Sequence, residues 1–514
     1  MIREILHYSI TGFVAIVLVA CSAGGGETGT GQNPDTVTVG VITGFGSVFV
    51  NGKKYETDSN TSINIDGSDS TESKLQVGMI VTLTGSTNSD GSNSALSITF
   101  DDNVEGMVLE NTVADNNQFI ILGQTIIVDD FDTVFESQVS AISTLEQIQV
   151  GNIVEVSGHT TGDGVIYATR IELKREIRGE NDEIELEGVV ANHLSQDQTF
   201  QVGSMTIDYS MASFKDLTTE SIKNGDYVEV TSDADLQNNQ LIAATIELKK
   251  RHKEILAQTT NQEVEMEGVI TKVESATEFS LNGQEIVINN LTKISDINEI
   301  QVGKKAKVEG YISAGQRIVA SEIEVKKENK TKIEGLISAI DTDSKTITVY
   351  GVVITITSST TVKDERDNVS DNERHFFNFN DLSIGNKVEV SFYRDEDLDK
   401  NIATKLELED GESDEDKDGG SGSSEENEDS EEKDWELKNI ISSYDAEEQT
   451  IIVLGRTIDI SRVESLISSD PTGKLAEVKG VIVNDIWVAT EFEVEDEENE
   501  STEKSEKEDQ GFIL

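Results

Sequence analysis

Carboxylates near the C-terminal end of the chain have the spacing of a cation-binding loop. Asp414, Asp416 and Asp418 alternate, Gly419 follows them and Glu425 closes the stretch. This order fits Asp-x-Asp-x-Asp-Gly-x5-Glu, in which alternate carboxylates wrap a calcium ion and the last glutamate adds two oxygens. The sequence therefore predicts a calcium site here. The alternative is a plain acidic linker, because 14 acidic residues crowd residues 409–434 and make a chance match easy.

A second chemically distinctive residue is Cys21, the single cysteine of the chain. Arg3 and the apolar run from Ile10 to Ala20 precede it. This run is shorter than the roughly 20 apolar residues that a spanning helix needs. The tetrapeptide Leu18-Val19-Ala20-Cys21 resembles the lipobox of bacterial lipoproteins, which implies cleavage before Cys21 and lipid on its thiol. The alternative is an ordinary signal peptide with an incidental cysteine.

The residue after the cysteine bears on the destination of the protein. Ser22 stands there, and this resembles the pattern of Gram-negative lipoproteins that are sent on to the outer membrane. Two acyl chains suffice for stable anchoring. We therefore expect an exported protein that is lipid-anchored in the outer membrane of a Gram-negative bacterium.

The remaining polar residues do not form a recognisable catalytic pattern. The sequence has no zinc-protease helix, nucleophile elbow or phosphate loop. A glutamate recurs beside the apolar positions of the last strand of the repeat that is described below. These glutamates form either a row of cation ligands or a solvated strand face. They are Glu172, Glu247, Glu324, Glu407 and Glu493. We expect the solvated face, no enzyme activity and no cofactor apart from the possible calcium ion.

The charge of the chain excludes one class of partner. It carries 99 acidic and 41 basic residues, a net charge of −58. Such a field repels nucleic acid and attracts cations, and no basic stripe offers a footprint for phosphates. We therefore expect no nucleic-acid partner.

Most of the chain between residues 37 and 496 consists of six copies of one pattern. Each copy has an opening strand of the type Val-Glu-Gly-Met-Val (104–108) and then a hairpin around a glycine, such as Asn51-Gly52. Next come Gly-x-x-Val-x-Val, as at 151–156, and Ala-x-x-Ile-Glu-Leu, as at 168–173. Asn-Gly is the strongest short hairpin signal because both of its residues tolerate positive φ.

Each copy predicts about five β-strands with one face in a core and one charged face in water. Curling such a sheet into a small barrel removes its edges. The long connector between strands three and four, with a weakly helical stretch such as 143–148, resembles the layout of an OB-like barrel. The predicted fold is therefore all-β, a tandem array of about six small five-stranded OB-like β-barrel modules behind an N-terminal signal peptide. A flatter two-sheet sandwich is the alternative.

The order of these motifs resembles a bacterial family of domains of unknown function, whose members occur as tandem copies in exported lipoproteins. The resemblance covers most of residues 37–496 and implies no activity. In the sixth copy Asn439 replaces the opening glycine.

The predicted boundaries follow from the repeats and from the charge runs. They are a signal peptide 1–20, a Gly-rich tether 21–36, modules 37–101, 102–176, 182–250, 262–327 and 331–408, an acidic linker 409–434, a sixth module 435–496 and an acidic tail 497–514. We expect a membrane-anchored, non-enzymatic scaffold in the cell envelope that presents a row of modules to an unknown protein or envelope partner. The alternatives are a calcium-responsive surface protein and, more distantly, a hydrolase.

Overall fold

The structure is a computed structural model. It describes residues 35–111, 117–139, 142, 144–179, 184–219, 221–234, 236, 240–249, 262–294, 297–313, 315–327, 329–366, 377–410, 433–484 and 486–494. Within these ranges, none of the helices is both long and apolar enough to cross a lipid bilayer.

The described part of the chain forms six β-barrels that share one topology. Strand one pairs with strands two and four, strand two with strand three, and strand four with strand five, all antiparallel. In barrels 2 to 6, strand three and strand five pair in parallel and close the cylinder, as in β10 (Gln124–Ile127) with β13 (Val165–Arg175), where Ile126 is opposite Ile166. In barrel 1, a single parallel bridge between Glu56 and Ser94 and the parallel pairing of Ser62–Ile65 with Asn93–Phe100 make this closure. This closure confirms the predicted OB-like barrel and excludes the open sandwich.

The first three barrels span residues 36 to 248. Barrel 1 consists of β1 (Thr36–Gly44), β2 (Val48–Val50), β3 (Lys53–Tyr55), β4 (Ser62–Ile65), β5 (Ser68–Asp69), β6 (Ile80–Thr87) and β7 (Asn93–Phe100). Barrel 2 consists of β8 (Val104–Asn111), β9 (Gln118–Ile121), β10 (Gln124–Ile127), β11 (Val134–Ser137), β12 (Ile153–Thr160) and β13 (Val165–Arg175). Barrel 3 consists of β14 (Ile184–Val189), β15 (Ala191–Leu194), β16 (Thr199–Val202), β17 (Met205–Asp208), β18 (Ser213–Lys215), β19 (Tyr227–Ser232), β20 (Gln240–Ile242) and β21 (Thr245–Leu248).

The last three barrels span residues 263 to 494. Barrel 4 consists of β22 (Glu263–Ser275), β23 (Glu278–Leu281), β24 (Gln284–Val287), β25 (Lys293–Ile294), β26 (Lys305–Ile312) and β27 (Ile318–Val325). Barrel 5 consists of β28 (Lys330–Asp341), β29 (Thr346–Val349), β30 (Val352–Thr355), β31 (Thr361–Asp364), β32 (Lys387–Asp395) and β33 (Lys400–Glu409). Barrel 6 consists of β34 (Lys433–Asp445), β35 (Thr450–Val453), β36 (Arg456–Asp459), β37 (Leu475–Val483) and β38 (Ile486–Val494).

Short 3₁₀ helices lie in the connectors between strands three and four. They span Glu72–Lys74, Leu145–Gln147, Ile297–Glu299, Phe379–Asp381 and Glu464–Leu466. The stretch that the sequence predicted to be weakly helical contains the second of them.

The glycine of the opening strand is required by the hairpin that folds over it. In barrel 1, Asn51 has φ of 51° and lies across Gly40. Its Oδ1 accepts a hydrogen bond from Val41 N at 3.0 Å, and its Nδ2 donates one to Val39 O at 3.2 Å. A Cβ on Gly40 would overlap this side chain. The recurring glycine therefore leaves room for the hairpin side chain that hydrogen-bonds to the opening strand.

A threonine fixes strand five to the turn after strand three. Thr133 Oγ1 donates a hydrogen bond to Ala168 O at 3.0 Å and accepts one from Asp129 N at 3.0 Å. The same paired contact recurs in barrels 1, 4 and 5, with Thr61 on Ala95, Thr292 on Ala320 and Thr360 on Ala403. The alanine of Ala-x-x-Ile thus marks the point at which strand five meets this turn.

The barrels also pair with one another through their first strands. β1 lies parallel to β22, β8 antiparallel to β14, and β28 antiparallel to β34. These pairings join barrel 1 to barrel 4, barrel 2 to barrel 3, and barrel 5 to barrel 6. Sequence neighbours are therefore not the only partners in the described part of the chain, because barrel 1 pairs with a barrel more than 200 residues away.

Candidate functional site

The residues that the sequence singled out as a lipid and calcium site lie outside the described part of the chain. This holds for Cys21, Asp414, Asp416, Asp418 and Glu425. Lipidation and calcium binding at these positions therefore stay predictions.

The recurring glutamates of the last strand are not brought together. Glu172 pairs with Arg170 at 2.7 Å, Glu247 with Lys215 at 2.8 Å, and Glu407 with Lys405 at 2.7 Å, in each case within one barrel. These three carboxylates thus form local ion pairs and do not join a shared row of cation ligands. The solvated face that the sequence predicted for this strand is wrong for Glu172 and Glu407, which are 5 % and 6 % exposed.

A different set of carboxylates meets where barrels 1, 2 and 3 come together. Asp66 lies in the turn between β4 and β5 of barrel 1, Asp102 in the link between barrels 1 and 2, and Glu185 on β14 of barrel 3. One carboxylate oxygen from each of the three lies within 4.8 Å of the others. Two further groups of the same kind adjoin it, Asp102 with Glu105 and Glu155, and Asp101 with Glu187 and Glu229. We call these eight residues the carboxylate junction.

The backbone around Asp102 fixes the centre of this junction. Asp102 N donates a hydrogen bond to Asp66 Oδ1 at 3.2 Å. The next residue, Asn103, accepts Gly158 N on its side chain at 2.7 Å and Glu187 N on its carbonyl oxygen at 3.0 Å. One dipeptide is thereby bound to all three barrels, so the carboxylates are held close by the fold and not by mutual attraction.

Two of the three groups have their own cation. Lys249 Nζ lies 2.6 Å from Glu229, 2.8 Å from Asp101 and 3.7 Å from Glu187. Lys174 Nζ lies 2.6 Å from Glu155. These lysines neutralise part of the negative charge, as buried carboxylates require.

The group of Asp66, Asp102 and Glu185, called the third group below, has no such cation. In the part of the chain that the structure describes, no lysine, arginine or histidine forms an ion pair with Asp66, Asp102 or Glu185. Asp102 is 2 % exposed, and its Oδ1 has no hydrogen-bond partner among the described residues. The same is true of Oε1 of Glu185.

The electrostatics of the third group follow from this geometry. Burial, and then the Glu229 carboxylate, raise the pKa of Glu185 to about 9. Desolvation of its carboxyl group by the surrounding protein, and then Glu155, raise the pKa of Asp66 to about 6, although the residue as a whole is exposed. Burial, and then Glu185, raise the pKa of Asp102 well above its usual range. The carboxyl groups disfavour one another's ionisation, so a proton or a metal ion is stabilised among them.

A second junction has the opposite charge balance. The segment from Asp129 to Glu136 of barrel 2, a turn followed by the start of β11, contacts lysines that barrels 4, 5 and 6 contribute. Lys330 Nζ lies 2.9 Å from Asp129 and also pairs with Asp132, while Lys438 Nζ lies 2.7 Å from Asp130. Three further lysines contact the same segment: Lys305 pairs with Asp129, Lys363 pairs with Glu136, and Lys405 donates a hydrogen bond to Thr133 O. We call this the lysine junction.

The lysines of this junction are almost completely buried. Side chains of Lys330, Lys363, Lys405 and Lys438 are 3–7 % exposed. Burial alone would lower the pKa of Lys330, but Asp132 and Asp129 outweigh it and raise this pKa. Burial alone would raise the pKa of Asp129, but Lys305 and Lys330 lower it well below its usual range. Both partners are therefore charged.

A polar cleft of about 850 Å³ opens on barrel 5. It lies on the face of strands two and three and is bordered by the loop between strands one and two and the loop between strands four and five. Its charged lining residues are Asp341, Arg394, Asp399, Lys400 and, from barrel 6, Arg456. OB-folds bind their ligands on this face and between these loops.

Sequence reasoning missed both junctions. It assigned the outward Glu of each opening strand to water, and Glu187 is instead 9 % exposed between barrels. One signal was present, the adjacent pair Asp101-Asp102 between two modules, since a short linker there must contact both barrels. Which barrels meet could not be inferred from the repeat.

Comparison with protein families agrees with the topology. A model of the family described as "Domain of unknown function (DUF5666)" matches residues 36–99, 105–172, 187–247, 267–324 and 334–407, which together are more than half of the chain. The chain belongs to the DUF5666 family. The predicted tandem repeats of a domain of unknown function are thereby confirmed in five copies. Barrel 6 has the same strand pairing as the five matched DUF5666 domains, although the match stops before it.

Other comparisons add little to the DUF5666 assignment. No curated protein matches the chain in sequence. Among solved structures, the chain titled "drosophila Unr CSD456" is 14 % identical, with 43 % of this chain and 95 % of that chain covered and a TM-score of 0.11.

Proposed function

We propose that this DUF5666 protein is a non-enzymatic scaffold of the bacterial cell envelope, held to a membrane by lipid on Cys21. The lysine junction carries the scaffold part of the proposal. It fastens barrels 2, 4, 5 and 6 through buried ion pairs, and separating them would leave several charges unpaired in a poorly solvated interface. Barrels fixed in this way keep constant distances between the surfaces that they present.

The anchor and the location rest on the sequence. The tetrapeptide ending in Cys21 supports lipidation, and Ser22 supports an outer-membrane destination in a Gram-negative bacterium. The cleft on barrel 5 supports a binding role for a polar protein or envelope partner, because three cationic side chains line it in a chain of net charge −58. That charge argues against a nucleic-acid partner.

The anchor is tested by fractionation of cells that express the full chain. Cys21→Ser should abolish labelling with a radioactive fatty acid and move the protein out of the membrane fraction. Ser22→Ala is the matched control and should leave both unchanged. Membrane association and labelling that survive Cys21→Ser would contradict the anchor.

The scaffold is tested by calorimetric unfolding. In the unmodified protein, barrels 2, 4, 5 and 6 should unfold in one transition. The double variant Lys330→Met with Lys438→Met should split this transition, because the ion pairs that couple barrels 5 and 6 to barrel 2 are lost. Independent transitions in the unmodified protein would contradict a rigid scaffold.

A calcium-responsive surface protein is the second candidate. It is favoured by the group of Asp66, Asp102 and Glu185, where three carboxylates gather without an ion-pair partner among the described residues.

A further inference from the structure

We propose that Asp66, Asp102 and Glu185 form a calcium site that ties barrels 1, 2 and 3 together. This site is separate from the predicted loop at 414–425 and does not depend on the anchor or on the lysine junction. Its ligands come from a turn of barrel 1, the link into barrel 2 and the first strand of barrel 3.

The spacing of the oxygen atoms suits calcium. Calcium–oxygen bonds are about 2.3–2.6 Å long, so two ligands on opposite sides of the ion are about 4.6–5.2 Å apart. The three carboxylate oxygens lie within 4.8 Å of one another. One ion can therefore contact all three without a large movement of the backbone.

The buried oxygen atoms supply an independent indication of a ligand. Asp102 is only 2 % exposed, and its Oδ1 has no hydrogen-bond partner among the described residues. A buried carboxylate oxygen without a donor is costly unless a cation or proton satisfies it. Because Asp102 is shared with the group of Glu105 and Glu155, these two carboxylates can add ligands or orient the first ones.

The chemistry of the site selects the type of ion. Only carboxylate oxygens are offered, which are the ligands of hard cations such as calcium and magnesium. Magnesium requires near-ideal octahedral geometry at shorter distances and retains several waters, whereas calcium accepts irregular sets of six to eight oxygens. Ligands from three separate barrels form such an irregular set. Asp66 is exposed, so the ion has a route from solvent.

The site also gives the ion a structural task. Without a cation, the three carboxylates repel one another across the contacts of three barrels. A bound calcium ion would replace this repulsion by attraction, and binding to the folded state alone stabilises it by mass action. We therefore infer that calcium fixes the arrangement of barrels 1–3, as lysines fix that of barrels 2, 4, 5 and 6.

The test is a calorimetric titration of the purified full chain with calcium chloride after removal of metals with EDTA. The background is the variant Asp414→Ala with Glu425→Ala, which eliminates the linker loop as a source of heat. We expect one saturable event with a dissociation constant on the order of 10⁻⁴–10⁻³ M, the range of extracellular calcium modules. Magnesium chloride should give a much weaker event.

Variants in the same background locate the site. Asp66→Asn and Glu185→Gln should each weaken calcium binding at least tenfold, and the exposed Glu285→Gln is the matched control that should not. Asp66 is exposed, so its amide variant keeps the fold and the test stands even if a buried variant unfolds. Non-saturating heat that magnesium reproduces, or saturable binding that survives both variants, would overturn the proposal.

Discussion

The two junctions of this chain solve the same packing problem with opposite charge balance. In the lysine junction, Asp129, Asp130 and Asp132 each contact a buried ammonium group from another barrel. In the carboxylate junction, Asp66, Asp102 and Glu185 gather without one in the described part of the chain. Where charges complement each other, the chain closes its own interface. Where they do not, the fold has built a place for a proton or an added cation.

The difference has an electrostatic origin. Attraction between opposite charges grows as the surroundings become less polar, and so does the repulsion between like charges. Burial therefore strengthens the lysine junction and weakens the carboxylate junction in the absence of a cation. Loss of a lysine should therefore destabilise either junction, whereas loss of an ionised carboxylate should destabilise the lysine junction and stabilise the carboxylate junction.

The largest effect on stability should come from removing a lysine of the lysine junction. Lys330→Met leaves the carboxylates of Asp129 and Asp132 short of a buried partner, and we expect the free energy of unfolding to fall by about 3–5 kcal/mol. Chemical denaturation measures it. Lys272→Met is the control, because Lys272 is exposed and pairs on the surface, and it should cost less than about 1 kcal/mol. Equal effects of the two variants would contradict a matched, buried junction.

A smaller effect should come from Lys249, the lysine that pairs with three carboxylates of the carboxylate junction. Lys249→Met removes the cation from Asp101, Glu187 and Glu229, and should lower the free energy of unfolding by about 2–3 kcal/mol, since Lys249 is partly exposed. The midpoint of urea unfolding reports this change. An unchanged midpoint would mean that these carboxylates do not need neutralising, and the comparison between the junctions would fail.

The smallest effect concerns pH, at Glu409 of barrel 5, which forms no ion pair with the lysines that the structure describes. Burial, and then Glu407 and Glu389, raise the pKa of Glu409 to about 7. A raised folded-state pKa gives stability that is present below the unfolded value near 4.5 and lost as the pH rises through 7. Glu409→Gln should therefore stabilise the protein by about 1 kcal/mol at pH 8 and have little effect at pH 4.5.

Thermal unfolding at the two pH values checks this prediction. The exposed Glu285→Gln is the control and should give no pH-dependent difference. A stabilisation by Glu409→Gln that is equal at both pH values would show that ionisation of Glu409 is not the cause.

The fold could be predicted because its signals are local and repeated. Positive φ at Asn51 and Asn282, glycines beneath them and alternating apolar residues all indicate hairpins in a small barrel. Even the sixth copy keeps its barrel without the opening glycine. There Asn439 donates a hydrogen bond to Thr331 Oγ1 of barrel 5, so its side chain is used between barrels.

The junctions could not be predicted because an outward-facing charged residue has the same pattern in water and in an interface. Glu105 and Glu187 alternate with apolar residues just as solvated glutamates do, and nothing local indicates that β8 pairs with β14. The distant pairing of β1 with β22 likewise depends on shape and charge over whole barrels. Alternation identifies the core face of a strand, and it leaves the environment of the other face open.

The most direct test of the contrast is the thermal stability of Asp102→Asn in EDTA, compared with the unmodified protein. Asp102 belongs to two of the carboxylate groups and is their most buried member. Burial raises the pKa of Asp102, and its ionisation in the folded state therefore costs stability as the pH rises. The melting temperature of the variant should accordingly rise relative to that of the unmodified protein between pH 6 and pH 9, whereas adding calcium should stabilise the unmodified protein more than the variant. A fall in melting temperature in EDTA would mean that the Asp102 charge is already balanced within the fold, and it would contradict the account of an unmatched junction.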